Sequence, residues 1–369
     1  MMKTFNEIFE DRTKIGTKVK TDEYYEKGAY LIIDQGKNLI AGYTDMKDGL
    51  FEDVPAIIFG DHTRVIKYVE EPFFLGADGV KVLRSKYDDA NYKYLYYALK
   101  NAKIPDTGYN RHFKWLKEVK INYPDMKRQE EIVNVLDKVS SIIESREEEL
   151  KNFDTLIKSR FVEMFGDPNS NSFGWDRLSL DKCLESIDNG KSFVCDNNPR
   201  VGDAPAILKL SAATYGIYKA EENKAIINEN DFVESAEIHD GDLLFTRKNT
   251  PELVGMSAYV FSTPGKLMMP DLIFRLNTKD NCNKVFLWQL INHDLFRSRI
   301  QGLAGGSAKS MSNISKERLR KLLIPLPPIK LQNQFAAFVH QVDKLKFEVQ
   351  NSLNETQLLF DSLMQKYFG

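Results

Sequence analysis

The chain has 369 residues, of which 42% are hydrophobic and 28% are charged, and its formal net charge is −2. This composition excludes a disordered chain and predicts a folded protein with enough residues for two cores of ordinary size. A near-neutral charge also argues against a uniformly basic surface, so any contact with DNA requires local basic patches or a partner that supplies them.

Several classes of protein are excluded by the absence of their sequence signals. The three cysteines form no CxxC pair, and the five histidines show no HxxxH or HExxH spacing of metal ligands. The N-terminal segment lacks the apolar core of a signal peptide, and no apolar run reaches the roughly 18 residues that span a bilayer. We therefore expect a cytoplasmic protein without disulfides, a metal site or a membrane segment.

Residues 1–123 are predicted to form a first globular unit that mixes strands and helix. Short apolar segments bounded by Gly, Asp and Pro predict strands over residues 30–33, 56–59, 64–69 and 80–83. Aromatic residues and Leu recur at intervals of three and four over residues 91–100, which favours a helix there.

Residues 124–166 are predicted to form a long helix that begins after Pro124 and Asp125, residue types favoured at helix starts. Forty residues of helix would extend about 60 Å. Residues 166–174 (GDPNSNSFG) predict the loop that ends it. Its apolar residues recur close to a heptad and define a seam: Ile132, Leu136, Val139, Ile143, Leu150, Phe153, Ile157 and Phe161.

Residues 167–323 are predicted to form a second globular unit in the style of the first. Strands are predicted over residues 206–210, 243–246 and 272–276, and a helix over residues 285–300.

Residues 324–369 repeat residues 121–166 without a gap, at a constant offset of 203 positions, so a second long helix is predicted. Identical residues include Pro124 and Pro327, Gln129 and Gln332, and the final glycines of both copies. The apolar seam also keeps its register: Phe335, Val339, Val342, Leu345, Val349, Leu353, Phe360 and Leu363. An amphipathic helix of this length needs a partner, and the other helix is the simplest one. The alternative is that each helix lies on its own globular unit.

Signatures of enzymes are incomplete. Residues 189–192 (NGKS) lack the earlier glycine of a phosphate-binding loop, and Ser307 lacks the second glycine of a nucleophile elbow. No GxGxxG motif follows a strand, and no DPPY or NPPY motif of an amino-methylating enzyme is present. We expect a protein that is not itself an enzyme.

The layout of unit, helix, unit and helix resembles the specificity subunit of type I restriction-modification systems over essentially the whole chain. Five phrases in this order carry the resemblance: residues 59–64 (FGDHTR), 76–83 (GADGVKVL), 108–116 (GYNRHFKWL), 241–255 (GDLLFTRKNTPELVG) and 323–332 (LIPLPPIKLQ).

The resemblance implies an α+β fold in which two mixed α/β target recognition domains are separated by two long helices. These helices would pack as an antiparallel coiled coil with pseudo-twofold symmetry. It also implies a double-stranded DNA target of two half-sites, two methyltransferase subunits, and restriction and motor subunits as partners. S-adenosylmethionine, ATP and magnesium would belong to those partners, and this chain would hold no cofactor.

Each recognition domain would read one half-site through base edges and phosphates. The two units differ in sequence outside the helices, which predicts an asymmetric target, and stiff helices would fix the gap between half-sites. Polar loops are the candidate contacts, because Arg can grip guanine and Asn can grip adenine with two hydrogen bonds. In the first unit these are Tyr43, Thr44, His62, Thr63, Arg64, Tyr109, Asn110, Arg111 and His112, and in the second Lys191, Thr246, Arg247, Lys248, Asn249, Thr250, Ser307, Lys309 and Ser310.

Other interpretations of these features stay open. Residues 61–64 can also be a turn that bonds its own backbone, and residues 109–112 can instead pack the unit onto its helix. At the level of function, the alternatives are a coiled-coil scaffold that joins two protein-binding domains and a self-contained restriction or methylation enzyme.

Overall fold

The computed structural model describes residues 1–76, 78–305 and 311–369, which divide into two compact units. Unit 1 comprises Met1–Glu148 and Gln350–Gly369, and unit 2 comprises Glu149–Val349. This division by packing cuts through both long helices. It does not test the predicted division into two recognition domains and two helices, which stays a prediction.

Among the described residues, unit 1 contains two small sheets, one further pair of strands, three short α-helices and parts of both long helices. Its strands form a four-stranded sheet in the order β2-β8-β5-β6, a three-stranded sheet in the order β4-β3-β7, and the pair β1-β9. The β3–β7 pair is parallel. The elements are β1 (Met2–Thr4), α1 (Phe5–Ile8), β2 (Phe9–Asp11), β3 (Tyr30–Ile33), β4 (Gly42–Thr44), β5 (Ala56–Gly60), β6 (Ile66–Val69), β7 (Phe73–Leu75), β8 (Val80–Ser85), α2 (Tyr92–Lys100), α3 (Phe113–Leu116), β9 (Lys120–Asn122) and α4 (Met126–Phe165), with a 3-10 turn at Thr21–Glu23.

Unit 2 contains sheets in the orders β11-β18-β14-β16 and β13-β12-β17, and the pairs β10-β20 and β15-β19. The β12–β17 pair is parallel. Its elements are β10 (Arg177–Ser179), α5 (Leu180–Cys183), β11 (Leu184–Asn189), β12 (Ala206–Leu208), α6 (Ser211–Thr214), β13 (Asn223–Ala225), β14 (Leu243–Thr246), β15 (Lys248–Asn249), β16 (Ser257–Tyr259), β17 (Leu267–Met268), β18 (Ile273–Thr278), α7 (Lys284–Asn292), α8 (Arg297–Gln301), β19 (Ser312–Asn313), α9 (Lys316–Arg320), β20 (Leu323–Pro325) and α10 (Ile329–Phe368), with 3-10 turns at Glu229–Asp231 and Glu234–Ala236.

The two units share one sheet topology, although their sequences align only in patches. The four-stranded, three-stranded and two-stranded sheets of unit 1 each have a counterpart in unit 2 with the same strand order and the same parallel pair. Helices α2 and α7 are nine residues long in both units, and each begins after an asparagine whose side chain accepts N-terminal N–H groups. The internal repeat therefore extends beyond the helices to both globular units.

Most of the predicted elements are confirmed. The strands predicted at residues 30–33, 56–59, 80–83, 206–210, 243–246 and 272–276 overlap strands of the structure. The helix predicted over residues 285–300 is wrong as one segment, because α7 ends at Asn292 and His293 is extended (φ −64°, ψ 128°) before α8 begins at Arg297. Buried apolar residues lie on both sides of this break, Ile291 before it and Phe296 after it.

The two long helices are 40 residues each, and they begin and end at positions that differ by 203. Within unit 2, Phe161 packs on Phe335 with ring centres 5.5 Å apart, and Asp154 pairs with Lys346 at 2.6 Å. Within unit 1, α4 residues such as Leu136 share a core with Phe360. In unit 1 the first half of α4 meets the second half of α10, and in unit 2 the second half of α4 meets the first half of α10, so the helices pack antiparallel. None of the helices in the described part of the chain combines the length and apolarity of a membrane span.

The predicted seam is confirmed at most positions and wrong at Leu345, which is 47% exposed. The seam of α10 continues instead from Val342 to Lys346 and Val349. The stem of Lys346 packs there, with its side chain 24% exposed, while its ammonium group binds Asp154. The predicted fold class is confirmed: an α+β chain with two mixed α/β units and two long antiparallel helices.

The imidazole of His293 is buried at the end of α7 and packs against Phe161, with ring centres 5.2 Å apart. Its Nδ1 accepts a hydrogen bond from the backbone N–H of Leu295 (3.3 Å), so the proton of the neutral ring lies on Nε2. That atom has no hydrogen-bond partner among the described residues. Burial lowers the pKa of His293, while the charges of Asp294 and Lys158 act in opposite directions. The folded unit therefore favours the neutral ring.

We predict that unit 2 loses stability in mild acid. Because the pKa of His293 is lower in the folded unit than in the unfolded chain, the unfolded chain takes up the extra proton first. The free energy of unfolding should therefore fall as the pH drops below about 6.5. Urea unfolding at about pH 7.5 and about pH 5.5 measures this loss. His293→Gln should reduce it, whereas His340→Gln, at an exposed position, should not. An equal loss in wild type and His293→Gln would contradict this account.

Candidate nucleic-acid interface

In unit 1 the turn that follows β5 is anchored by the buried carboxylate of Asp61, which is 4% exposed. One of its oxygens accepts the backbone N–H of Phe113 (2.8 Å). Its backbone carbonyl accepts both the N–H (2.7 Å) and Nδ1 of His112 (3.0 Å). The sequence predicted residues 62–64 and 109–112 as separate groups, and these bonds bring them together. His112 is itself fully buried, so its role is to hold the loop.

An aromatic stack forms the exposed top of this assembly. The rings of His62 and Tyr109 are stacked, with centres 4.7 Å apart and planes at 10°. Tyr109 is 87% exposed, so one face of its ring is open to solvent. A flat, exposed aromatic ring with a polar tip is suited to stacking on a base or packing against a sugar.

Arg64 connects the turn to a second loop and adopts a left-handed backbone conformation (φ 62°), which is uncommon for a residue with a side chain. Its guanidinium donates to Asp106 (2.7 Å). The backbone N–H of Gly108, together with Arg64, holds the pKa of Asp106 below its usual range. Arg64 is therefore engaged in an ion pair with another loop, so its guanidinium does not bond the backbone of residues 61–64.

Gln35, which the sequence analysis did not identify, ties three loops together. Its Oε1 accepts the N–H of His62 (3.2 Å), its Nε2 donates to the carbonyl of Asp78 (3.1 Å), and its carbonyl accepts the hydroxyl of Thr63 (2.6 Å). Gln35 follows β3, Thr63 follows β5 and Asp78 follows β7. Only the fold brings these positions together, so no local sequence signal marks them.

Asn110 and Arg111 are exposed beside the stack. The side-chain amide of Asn110 donates to the carbonyl of Thr107, which fixes the loop. Arg111 makes no hydrogen bond or ion pair with the described residues, although its charge, with the larger effect of Lys18, lowers the pKa of Asp78. Arg111 is thus a cation whose donors are free for a ligand.

Tyr43 and Thr44 lie on the edge strand β4. The backbone of Tyr43 pairs with Tyr25 (2.9 Å), and Thr44 is 3% exposed with its hydroxyl accepting the N–H of Met46 (3.3 Å). Their hydrogen bonds connect them to residues outside the 61–64 turn. The burial of Thr44 gives it a structural role.

In unit 2 the predicted cluster at residues 246–250 divides into buried and accessible members. Thr246 is fully buried, with its hydroxyl donating to the carbonyl of Met256 (3.0 Å). Asn249 is 7% exposed and donates to the hydroxyl of Thr214 (3.1 Å). Thr250 is exposed, and Lys248 is partly exposed at 3.9 Å from Asp271. The accessible members are therefore Arg247, Lys248 and Thr250.

Arg247 lies over an aromatic ring and beside a second cation that the sequence did not reveal. Its guanidinium is 5.0 Å from the ring centre of Phe274, and Lys316 Nζ is 5.6 Å from the same centre. Arg247 also donates to the side-chain oxygen of Asn313 (3.4 Å). Burial lowers the pKa of Lys316, and the positive charges of Arg320 and Arg247 act in the same direction. Two cations on one ring are a local basic patch in a near-neutral chain.

Lys191 is connected to this patch by the segment that follows β17, because both Lys191 and Arg247 bond the main chain of that segment. Its backbone N–H donates to the carbonyl of Met269 (3.0 Å), and the neighbouring Ser192 hydroxyl donates to Asp271 (2.5 Å). Residues 189–192 are therefore the end of β11 and a segment bonded to residues 269–271, and not a loop around phosphate. Ser307, Lys309 and Ser310 lie outside the described residues.

The accessible residues occupy the same place in the two units. Asp61 directly follows β5 and donates its N–H to Gly79 (2.7 Å), and Arg247 directly follows β14 and donates its N–H to Leu272 (2.9 Å). β5 and β14 are equivalent strands, and Gly79 and Leu272 each immediately precede equivalent strands. Two polar clusters chosen separately from the sequence therefore lie at one end of the same fold. Within residues 1–76, 78–305 and 311–369, no group of His, Cys, Asp and Glu is placed to hold a metal ion.

Comparison with known proteins identifies the family. The family model for the type I restriction modification DNA specificity domain matches residues 1–152 and 174–356, which are most of the chain. The chain belongs to this family. The two matched segments correspond to the two repeats of strands and long helix.

Individual relatives agree with this assignment. The chain is 32% identical over 197 residues to the type I restriction enzyme EcoEI specificity subunit of Escherichia coli, a match that covers 52% of this chain and 33% of that protein. The chain is also 28% identical over 137 residues to the type I restriction enzyme EcoR124I/EcoR124II specificity subunit of E. coli. This match covers 34% of this chain and 34% of that protein. The chain thus spans about a third of the length of these curated relatives.

Solved structures establish the fold. The crystal structure of the S subunit of a type I restriction-modification system from M. genitalium matches with a TM-score of 0.61 at 16% identity, over 100% of this chain and 96% of that one. A chain from a structure of the assembly and conformational transition of the type I R-M system matches with a TM-score of 0.51 at 15% identity, over 100% and 97%.

We predict that Asp61 is required to hold the aromatic stack in place. Asp61→Ala leaves the buried N–H of Phe113 without an acceptor, which should lower the free energy of unfolding by about 1–3 kcal/mol. Hydrogen exchange of residues 105–112 should accelerate more than that of the β-sheets. Asp88→Ala, at an exposed position, is the control and should change neither measurement. Unchanged exchange in Asp61→Ala would show that the anchor is dispensable.

Proposed function

We propose that this chain is the DNA sequence-specificity subunit of a type I restriction-modification complex. Each unit would recognise one half-site of an asymmetric, bipartite DNA target. The observation that carries the proposal is the placement of two different polar clusters at the same end of two topologically equivalent units. Two domains that share a scaffold but carry different side chains are expected to recognise different DNA sequences.

The chemistry of the two clusters supports contacts with DNA. In unit 1, Arg111 supplies an unpaired guanidinium for a phosphate or a guanine edge, and Tyr109 supplies an open aromatic face. In unit 2, Arg247 and Lys248 supply positive charge and Thr250 supplies a hydroxyl group. Because one cluster is aromatic and the other is more basic, the half-sites they select should differ.

We propose further that the chain performs no chemistry and directs partner subunits to DNA. The net charge of −2 leaves little sequence-independent attraction to phosphates, so a methylating partner would contribute much of the affinity. S-adenosylmethionine would bind that partner, and ATP and magnesium would bind the restriction and motor subunits. The absence of a complete methyltransferase or phosphate-loop motif in the sequence supports this division of work.

The test is to reconstitute the chain with the methylating subunit encoded beside it and to measure binding to the target defined by methylome sequencing. Arg111→Ala and Lys248→Ala should each weaken binding to DNA by about 1–3 kcal/mol if the side chain contacts a base. If it contacts a phosphate, the slope of log affinity against log salt concentration should instead decrease in magnitude by about 1. Specificity changes should be confined to one half-site for Arg111→Ala and to the other for Lys248→Ala. Lys47→Ala and Lys182→Ala, both at exposed positions, are matched controls.

The competing functions predict other outcomes. If the affinity of the complex for DNA depended neither on DNA sequence nor on salt concentration, the chain would be a scaffold and not a specificity subunit. Transfer of labelled methyl groups to DNA by the chain alone would contradict a non-catalytic role.

In this proposal the two copies of the long helix set the number of methylating subunits that bind. Exposed apolar residues recur at equivalent positions of α4 and α10: Ile142 (46% exposed) corresponds to Leu345 (47%), and Leu156 (46%) corresponds to Leu359 (52%). Exposed apolar residues that repeat with the helices are typical of protein interfaces. We propose that the two copies dock two identical methylating subunits.

Native mass spectrometry tests this stoichiometry. Wild type should carry two methylating subunits, Ile142→Glu and Leu345→Glu should each retain one, and the double variant should retain none. Each charge would be buried in an apolar contact, which opposes docking. Phe347→Glu is a matched control, because Phe347 is 67% exposed but its equivalent in the first helix is Glu144. Loss of both subunits from one single variant would contradict two independent sites.

A further inference from the structure

Unit 2 contains a cleft of about 280 Å³ between helix α7, the two long helices and the residues that flank β16. Its polar lining comes mainly from the long helices, and its apolar lining comes mainly from α7 and the loops around it. Residues that line it include Asp154, Lys158, Tyr215, Phe261, Trp288 and Asp343. No residue of the candidate nucleic-acid interface lines this cleft.

Aromatic side chains form the inner wall. Trp288 is 7% exposed, and its indole N–H donates to the carbonyl of Gly216 (2.8 Å), which fixes the ring. Phe261 packs edge-to-face on Trp288, with ring centres 5.7 Å apart. Tyr215, at the mouth, is 64% exposed. Aromatic faces around a cleft attract cations through the ring quadrupole.

The cleft also holds one carboxylate without a partner. Asp154 pairs with Lys346 (2.6 Å), and Asp294 pairs with Lys158 (2.7 Å). Asp343 makes no hydrogen bond or ion pair with the described residues. The charges of Lys346 and His340 lower its pKa, but the larger effect of burial raises it. A half-buried carboxylate without a partner is unfavourable unless a ligand supplies a cation.

The equivalent cleft of unit 1 shows how such a carboxylate is satisfied. It lies between β6, α2 and α4, and its carboxylate, Asp137, is held one turn away from the position equivalent to Asp343. Lys93 donates to one oxygen of Asp137 (2.9 Å), and the hydroxyl of Tyr97 donates to the other (2.7 Å). Lys93 Nζ is also 5.9 Å from the ring centre of Tyr68. In unit 1 the carboxylate of the cleft is therefore paired with a cation of the same unit.

Unit 2 lacks both of these internal partners. Lys93 and Tyr97 are the second and sixth residues of α2, and the second and sixth residues of α7 are Val285 and Gln289. Val285 is buried in the core, and Gln289 carries no charge. The cation that α2 supplies in unit 1 is thus missing at the equivalent position of α7, and the two lysines of the unit 2 cleft are paired with other carboxylates.

We propose that the cleft of unit 2 binds the guanidinium group of an arginine side chain on a protein partner. A planar guanidinium can stack on Trp288 or Phe261 while it donates two hydrogen bonds to Asp343. A volume of about 280 Å³ is at the lower limit for small-molecule sites, which favours a single side chain over a whole metabolite. This inference does not rest on the proposed DNA function.

The test uses 5-fluorotryptophan and fluorine NMR on the full chain, because the sequence contains three tryptophans. Trp288→Phe identifies the signal of Trp288. Titration with N-acetyl-arginine amide should shift that signal saturably, with weak, millimolar affinity, and should leave the signals of Trp115 and Trp175 unchanged. N-acetyl-citrulline amide, which has the same shape without the charge, should produce a shift at least tenfold smaller at equal concentration.

Variants separate the cation site from a general apolar cleft. Asp343→Asn keeps the shape of the side chain and should abolish the saturable shift, whereas Glu348→Gln, at an exposed position of the same helix, should leave it unchanged. No saturable shift in wild type, or equal binding of the citrulline compound, would overturn the proposal. Equal binding of N-acetyl-lysine amide would overturn the assignment to guanidinium.

Discussion

The structure depends on covering the apolar stripes of two 40-residue helices. A helix of this length with one apolar face is not stable alone in water, so each stripe needs both a partner helix and a globular core. In unit 2, Phe161 and Phe335 join Phe286 of α7 in one cluster. In unit 1, Leu136 and Phe360 join the residues of α2 in another. The helices are therefore part of both cores.

This shared packing explains why the helices and the globular units duplicate together. A helix seam can be conserved only if the element that packs on it keeps its position, and α2 and α7 do so in both units. The sheets behind those helices keep their order for the same reason. The two units differ instead in the loops at the sheet ends and at positions such as Val285, whose equivalent in unit 1 is Lys93.

The sequence predicts the regular parts of this molecule well. Periodic apolar residues and the offset of 203 positions predict the long helices, and a wrong seam position occurs only where the stem of Lys346 replaces an apolar side chain. The site is harder to predict, because hydrogen bonds over long sequence distances create it. Gln35 and Lys316 carry no local signal, and the burial of Thr44, Thr246 and Asn249 follows from their contacts with distant segments.

The anchoring of the two polar turns has a consequence for how this protein can change. Asp61 and Arg247 are held at equivalent places through main-chain N–H and carbonyl groups, which every residue except proline provides in full. Side chains at the exposed positions of the turn can therefore be exchanged without losing this bond, whereas the carboxylate of Asp61 also holds Phe113. The scaffold and the exposed side chains of the turns can therefore change independently of each other. Side chains at a few surface positions can be replaced while the cores remain unchanged.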